Sequence, residues 1–199
     1  MKIRSLFTAI IACTFLLLAA APVPYGIGDT VSDFKLKNVD GKVISLSDYS
    51  RSKGVILIFD CNTCPYSKAY NDRIIALDKT YAQKGFPVIT INSNRGQGES
   101  FQDMVARAEA KNYSFPYLKD ETQNVARAFG ATNTPHVFLL RREADEFAVA
   151  YIGAIDNHSR NGSLADRKYV EEAVNAILAG KPVTTEKTKA VGCGIRYED

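Results

Sequence analysis

The sequence predicts an α/β domain in which a mixed central β-sheet is flanked by helices. Residues 55–59 are a short apolar run, the pattern of a strand that is buried on both faces. Apolar residues from Tyr70 to Tyr81 then recur at helical spacing, and residues 87–92 form a second apolar strand. Strand, helix and strand in this order indicate a parallel pair of strands joined by a right-handed crossover.

The segments around this unit have their own local signals, namely turn pairs, capping residues and apolar periodicity. They predict these elements: a β-hairpin over 28–46 that turns at Asp40-Gly41, an inserted helix over 100–111 that begins with a capping box at Ser100-Phe101-Gln102-Asp103, a short helix ended by Gly130, an antiparallel strand pair over 137–140 and 147–152, and a last helix capped by Asp166.

The first 21 residues predict a signal peptide, and hence a periplasmic or otherwise exported protein. Lys2 and Arg4 form a basic start, and the apolar stretch Leu6–Ala21 ends in small residues. The stretch is short for a membrane span, and we expect no stable membrane span once the signal peptide is removed. We expect one domain over residues 26–180, followed by a tail over 181–199 with little periodicity.

An alternative for the N-terminus is lipidation at Cys13, because Ile10-Ile11-Ala12-Cys13 resembles a lipoprotein box. The apolar run continues past Cys13, which argues against lipidation there.

Removal of the signal peptide takes away two of the basic residues, so the net charge of +3 falls to about +1 (3 − 2 = 1). No basic field remains to indicate binding to nucleic acid.

Two cysteines spaced C-x-x-C, Cys61 and Cys64, lie where the 55–59 strand ends and the first helix begins. The free N–H groups and the positive dipole end of a helix favour a thiolate there. Cys61 is then the exposed nucleophile, and Cys64, one turn later, is the resolving thiol. Two alternatives stay open. The pair could be half of a zinc site, with further ligands from Cys193, His136 and His158, or two inert core cysteines.

A second motif, Thr134-Pro135, stands just before the apolar run at 137–140. The C-x-x-C and the Thr-Pro, with β-α-β order around the cysteines, resemble the thioredoxin superfamily, and the N-terminal hairpin and inserted helix resemble its redoxin (AhpC/TSA-like) branch. The resemblance spans roughly residues 26–180 and implies a thioredoxin-like fold. It also implies that Pro135 is cis, with backbone atoms of Thr134 facing the Cys61 sulfur, where an extended substrate segment could pair with them.

The chain departs from its relatives near the cysteines. Val55 stands where thioredoxins have an acidic residue, and Asp60 lies directly before Cys61. An Asp60 carboxylate that faced the sulfur would raise the pKa of the thiol. Peroxiredoxins place Thr three residues and Pro seven residues before the peroxidatic cysteine, and Ile58 and Gly54 occupy those positions before Cys61.

The resemblance implies an exported thiol–disulfide oxidoreductase in which Cys61 attacks a substrate disulfide and Cys64 resolves the mixed disulfide. Protein disulfides would be the substrates and a redox protein the electron donor, with no metal or organic cofactor. Two alternatives are a thiol peroxidase of the same branch and a metallochaperone that uses Cys61, Cys64 and His136. Cys193 could be a third redox thiol, an intermolecular link or a buried apolar residue.

Overall fold

The computed structural model describes residues 23–198. They form one eight-stranded mixed sheet, one two-stranded sheet and four α-helices. The predicted signal peptide and the alternative lipidation site at Cys13 lie outside the described residues.

The strands of the two sheets, in chain order, are β1 (Thr30–Val31), β2 (Lys35–Asn38), β3 (Val43–Ser45), β4 (Gly54–Phe59), β5 (Val88–Asn92), β6 (Tyr117–Lys119), β7 (Asn133–Thr134), β8 (His136–Glu143), β9 (Glu146–Gly153) and β10 (Cys193–Gly194). The helices are α1 (Pro65–Tyr81), α2 (Phe101–Ala110), α3 (Asn124–Phe129) and α4 (Tyr169–Leu178). The main sheet has the order β1-β9-β8-β4-β5-β6-β2-β3, and β7 pairs with β10. In the main sheet β4, β5 and β6 are mutually parallel, and the other pairs are antiparallel.

The central strand β4 is buried on both faces. Val55, Leu57 and Phe59 join one apolar cluster, while Ile56 and Ile58 join another on the opposite face. Side chains alternate across a strand, so a strand covered on both sides needs a continuous apolar run. Because the strand is packed on both faces, its last residue, Phe59, is held in the core, and the cysteine motif follows directly after it.

The predicted fold class is confirmed: a mixed sheet is flanked by helices, with a β2–β3 hairpin and the inserted helix α2. The capping box of α2 is present, with the Ser100 and Asp103 side chains each bonding the other's backbone N–H. Gly130 ends α3 in the left-handed conformation. The predicted cap of the last helix is wrong, because α4 begins only at Tyr169, with Lys168 as N-cap. The Asp166 carboxylate instead accepts a hydrogen bond from the Asn157 side chain.

The tail is more ordered than its sequence predicted. The Ile152 N–H donates to the Glu186 carbonyl over 2.9 Å, and the Thr188 N–H donates to the Ile152 carbonyl over 3.0 Å. The chain then reaches β7 and pairs with it as β10. In residues 23–198 no helix is long and apolar enough to cross a membrane.

Candidate active site

The C-x-x-C motif lies at the junction predicted from the sequence. Strand β4 ends at Phe59, and Cys64 is the N-cap of α1, with Pro65 at its first position. Proline suits that position because the N–H it lacks would have had no partner in the helix. The buried strand and the helix start therefore fix both ends of the motif.

Thr134 meets the sulfurs of both motif cysteines. In the register of β4 with β8, His136 lies opposite Phe59, which brings Thr134 beside the motif. The Thr134 Oγ1 lies 3.0 Å from the Cys61 Sγ, and its carbonyl O lies 3.2 Å from the Cys64 Sγ. The Thr134–Pro135 bond is cis, which confirms that prediction. The contact with Cys61, however, comes from the hydroxyl rather than from the backbone.

The cysteines are paired differently from the predicted Cys61–Cys64 disulfide. Cys64 forms a disulfide with Cys193, and Cys61 is a free thiol. The physical reason is the pairing of β10 with β7, which sets Cys193 opposite Thr134, the residue whose carbonyl contacts the Cys64 sulfur. Cys61 was also expected to be exposed, and this is wrong in this form, since its exposed fraction is 0%. The redox roles of Cys61 and Cys64 stay a prediction.

The surroundings of Cys61 favour the protonated thiol in this form. Burial raises the pKa of the Cys61 thiol, and the negative charges of Asp60 and Glu99 raise it further. The Thr134 hydroxyl works in the opposite direction because it hydrogen-bonds to the sulfur. The predicted stabilisation of a thiolate at the helix start is therefore outweighed in this form, in which Cys61 is buried.

Asp60 lies close enough to Cys61 for its negative charge to raise the pKa of the thiol. Arg107, on α2, is the counterion of Asp60. The Arg107 guanidinium donates to Asp60 Oδ2 over 3.0 Å and also donates to the carbonyl of Cys61. Asp60 is 1% exposed and its Oδ1 has no hydrogen-bond partner. Burial raises the pKa of Asp60 even though the charge of Arg107 lowers it. The ion pair thus ties α2 to the residue before the motif.

Glu99 holds the two residues between the cysteines, and sequence reasoning missed it. Its carboxylate accepts from the Asn62 N–H (3.0 Å) and from the Thr63 N–H (2.9 Å) and hydroxyl (2.6 Å). It also accepts from the Asn92 side chain at 2.8 Å, and Glu99 is only 3% exposed. An acidic residue in a polar loop has the sequence pattern of a solvated one, so no local signal marks it.

The two histidines do not join the cysteines. His136 is buried in β8, and its Nδ1 accepts from the Thr132 N–H over 3.2 Å. Burial lowers the pKa of His136 to about 4. The His158 Nδ1 accepts from the Asn161 N–H in the loop before α4. Among residues 23–198, no three His, Cys, Asp or Glu side chains are grouped as metal ligands would be.

A cleft of about 610 Å³ borders the sulfurs. Its walls are the start of α1, the loop 94–99 and tail residues 193–196. The tail therefore forms one side of the cleft next to the cysteines, and Cys61 itself is 0% exposed in this form.

Comparison with known proteins places these features in a family context. A sequence model of the AhpC/TSA family matches residues 27–147, more than half of the chain. A curated relative named thiol-disulfide oxidoreductase ResA, from Geobacillus thermodenitrificans (strain NG80-2), is 29% identical over 117 residues. That match covers 57% of this chain and 63% of the relative, which is less than two thirds of the relative's length.

Two solved structures are similar over nearly the whole described chain. A hypothetical protein from Sinorhizobium meliloti 1021 is 32% identical, with a TM-score of 0.80, covering 88% of this chain and 97% of that one. An uncharacterized conserved protein from Geobacillus kaustophilus is also 32% identical, with a TM-score of 0.80, covering 87% of this chain and 93% of that one.

Proposed function

Because the chain belongs to the AhpC/TSA family, we propose that it is an exported thiol–disulfide oxidoreductase that reduces or exchanges protein disulfides through Cys61 and Cys64. One observation carries the proposal: Thr134, next to the cis peptide bond, contacts both motif sulfurs, at 3.0 and 3.2 Å. The relative named thiol-disulfide oxidoreductase supports the same chemistry. The proposed division of the chain is a signal peptide over 1–21, a redoxin domain over 26–180 and a tail over 181–199.

The proposed cycle starts from the reduced protein. The Cys61 thiolate attacks one sulfur of a substrate disulfide, so a Cys61–substrate disulfide forms and the other substrate sulfur leaves as a thiolate. The Cys64 thiolate then attacks the Cys61 sulfur, which forms the 61–64 disulfide and releases the second substrate sulfur. The protein loses two electrons and the substrate gains them, while the protons of the two cysteines end on the two released thiols. A dithiol donor protein reverses the oxidation of the protein.

Thr134 has a defined task in this cycle. Its hydroxyl can donate to the Cys61 sulfur and so stabilise the thiolate when the site is open. Arg107 and Glu99 hold the backbone on either side of that sulfur, because Arg107 donates to the Cys61 carbonyl and Glu99 accepts from the Asn62 N–H. A motif held in this way loses little conformational freedom when it forms the mixed disulfide.

The test is disulfide reduction by three forms of the protein. The wild type should reduce insulin with a dithiol donor, and Cys61→Ser should abolish that activity. Cys64→Ser should accumulate mixed disulfides on Cys61, which non-reducing electrophoresis and peptide mapping detect. Adducts that collect on Cys64 in the Cys61→Ser protein would contradict the assignment. Hydrogen peroxide turnover with kcat/KM of about 10⁴–10⁸ M⁻¹s⁻¹ would instead indicate the thiol peroxidase.

A further inference from the structure

The tail contains a cysteine that the proposed cycle does not use. Residues 192–198, here called the tail latch, lie along β7 and end beside α3. Cys193 pairs with Thr134 and Gly194 with Asn133, and the Ile195 N–H donates to the Thr132 carbonyl over 2.9 Å. The latch thus makes, within one chain, the backbone pairing beside the cis bond that an extended substrate segment would make.

The domain holds the end of the latch with a buried side chain. Gln123 is 1% exposed, and its side-chain amide donates to the Arg196 carbonyl over 2.9 Å. Its side-chain oxygen accepts from the Glu198 N–H over 2.8 Å. The Tyr197 hydroxyl also donates to the Ala131 carbonyl. A buried amide needs hydrogen-bond partners, and the latch supplies two of them to Gln123, while the Ser93 carbonyl accepts a third bond from the same amide.

Gly192 fits the latch closely against Thr134. A Cβ built on Gly192 would overlap the Thr134 carbonyl oxygen, whereas at Gly194 the nearest atom is the Thr132 carbonyl oxygen at 3.9 Å. Only a glycine at position 192 lets the chain approach β7 so closely. This contact, the disulfide and the Gln123 contacts all hold the latch over the cysteines.

We infer that Cys193 is a third redox residue, which exchanges with the Cys61–Cys64 disulfide to form a latched oxidised protein closed to substrate. This rests on the proposed function, because the 61–64 disulfide is its product. The Cys193 thiolate attacks the Cys64 sulfur, the 61–64 bond breaks, the 64–193 bond forms, and Cys61 leaves as a thiolate that takes up the proton Cys193 gave up. No electrons are gained or lost, so no further reactant is needed.

The latched form explains two features of the site together. Cys61 is a free thiol but 0% exposed, so it has no open path to a substrate disulfide. The disulfide joins Cys64, not Cys61, to the latch, so attack of Cys61 on Cys64 would expel Cys193 and open the site again. Oxidised protein would then be protected from non-specific exchange until a donor reduces it or displaces the latch.

The test measures which thiol is free in the oxidised full-length protein. Samples equilibrated in glutathione buffers are quenched in acid, denatured, alkylated and mapped by mass. An alkyl group on Cys61 marks the 64–193 isomer, and one on Cys193 marks the 61–64 isomer. We expect both isomers in the wild type. Gly192→Ala should lower the ratio of the 64–193 to the 61–64 isomer by about tenfold or more, because an added methyl overpacks the contact. Gly194→Ala, the matched control, should leave the ratio within about twofold.

Two results would overturn the inference. One is an oxidised wild type in which Cys61 is never the free thiol. The other is a 64–193 bond that persists in every buffer with no 61–64 isomer, since it would then be a fixed structural disulfide. Insulin reduction by Cys193→Ser separates this failure from that of the proposed function. If either overturning result is found and Cys193→Ser still reduces insulin, only the latch inference fails. If the wild type shows both isomers and neither the wild type nor Cys193→Ser reduces insulin, only the proposed function fails.

Discussion

Replacing Glu99 by glutamine should loosen the cysteine motif and acidify Cys61 at the same time. The carboxylate accepts four hydrogen bonds: two at Oε1 from Thr63, and two at Oε2 from Asn62 and Asn92. Glutamine has one acceptor oxygen, which is best turned toward the more buried Asn62 and Asn92. The Thr63 hydroxyl can accept from the new amide, but the Thr63 N–H then loses its acceptor.

The loss of stability caused by Glu99→Gln can be estimated from these hydrogen bonds. The unpaired Thr63 N–H costs about 1 kcal/mol because it is only partly buried. The two bonds that remain lose their charge assistance, about 1 kcal/mol each, and this is partly offset because no charge is buried any longer. We therefore expect the free energy of unfolding to fall by about 2–3 kcal/mol. With an m-value of about 2 kcal/mol/M, the urea midpoint falls by about 1–1.5 M.

The same substitution removes one of the negative charges that raise the pKa of Cys61. The pKa of Cys61 should therefore fall, which alkylation of the reduced protein across pH, with mapping of the Cys61 peptide, would measure. The matched control is Glu121→Gln, at an exposed glutamate, and should stay within about 0.5 kcal/mol of the wild type. A Glu99→Gln protein as stable as the wild type, or a Cys61 pKa that rises, would refute the reasoning.

Three further predictions concern charge and processing. Since burial lowers the pKa of His136 from 6.5 to about 4, the unfolded chain binds the extra proton in that range, and stability should fall by about 3 kcal/mol as pH drops from 6.5 to 4. In urea melts, the free energy of unfolding of His136→Gln should depend less on pH between 6.5 and 4 than that of the wild type. His158→Gln should show the same pH dependence as the wild type. Arg107→Met leaves the buried Asp60 without its counterion, so melts near neutral pH should show a loss of about 3–5 kcal/mol that shrinks as pH falls and Asp60 is protonated; an equal loss at all pH values would contradict this. Intact-mass analysis of the protein from its native host should show that residues 1–20 are absent, and a lipid on Cys13 would contradict that expectation.

The parts of the site that could be predicted are those with local signals. The apolar run of β4, the helical spacing after it and the Thr-Pro before β8 each depend on neighbours in the sequence. These signals correctly placed Cys61 and Cys64 at the strand–helix junction, whereas the position of Thr134 beside Cys61 followed only from the family resemblance.

The rest depends on contacts between residues far apart in the chain. Glu99 and Arg107 are polar residues whose burial follows only from where their segments pack. Cys193 lies 129 residues after Cys64, in a segment with no apolar periodicity. The latch is held by backbone pairing and by the buried amide of Gln123, and neither leaves a pattern in the latch's own sequence.

The central claim is that Cys64 is the sulfur shared by the two intramolecular disulfides of this protein, the proposed 61–64 bond and the 64–193 bond. Equilibration of the wild type and of Cys64→Ser with glutathione buffers, followed by counting of free thiols, tests it most directly. The wild type should exchange two electrons reversibly with glutathione, and Cys64→Ser should form no intramolecular disulfide. Cys61→Ser should still form the 64–193 bond. A Cys64→Ser protein that titrates like the wild type, or a wild type that does not exchange with glutathione at all, would contradict the account.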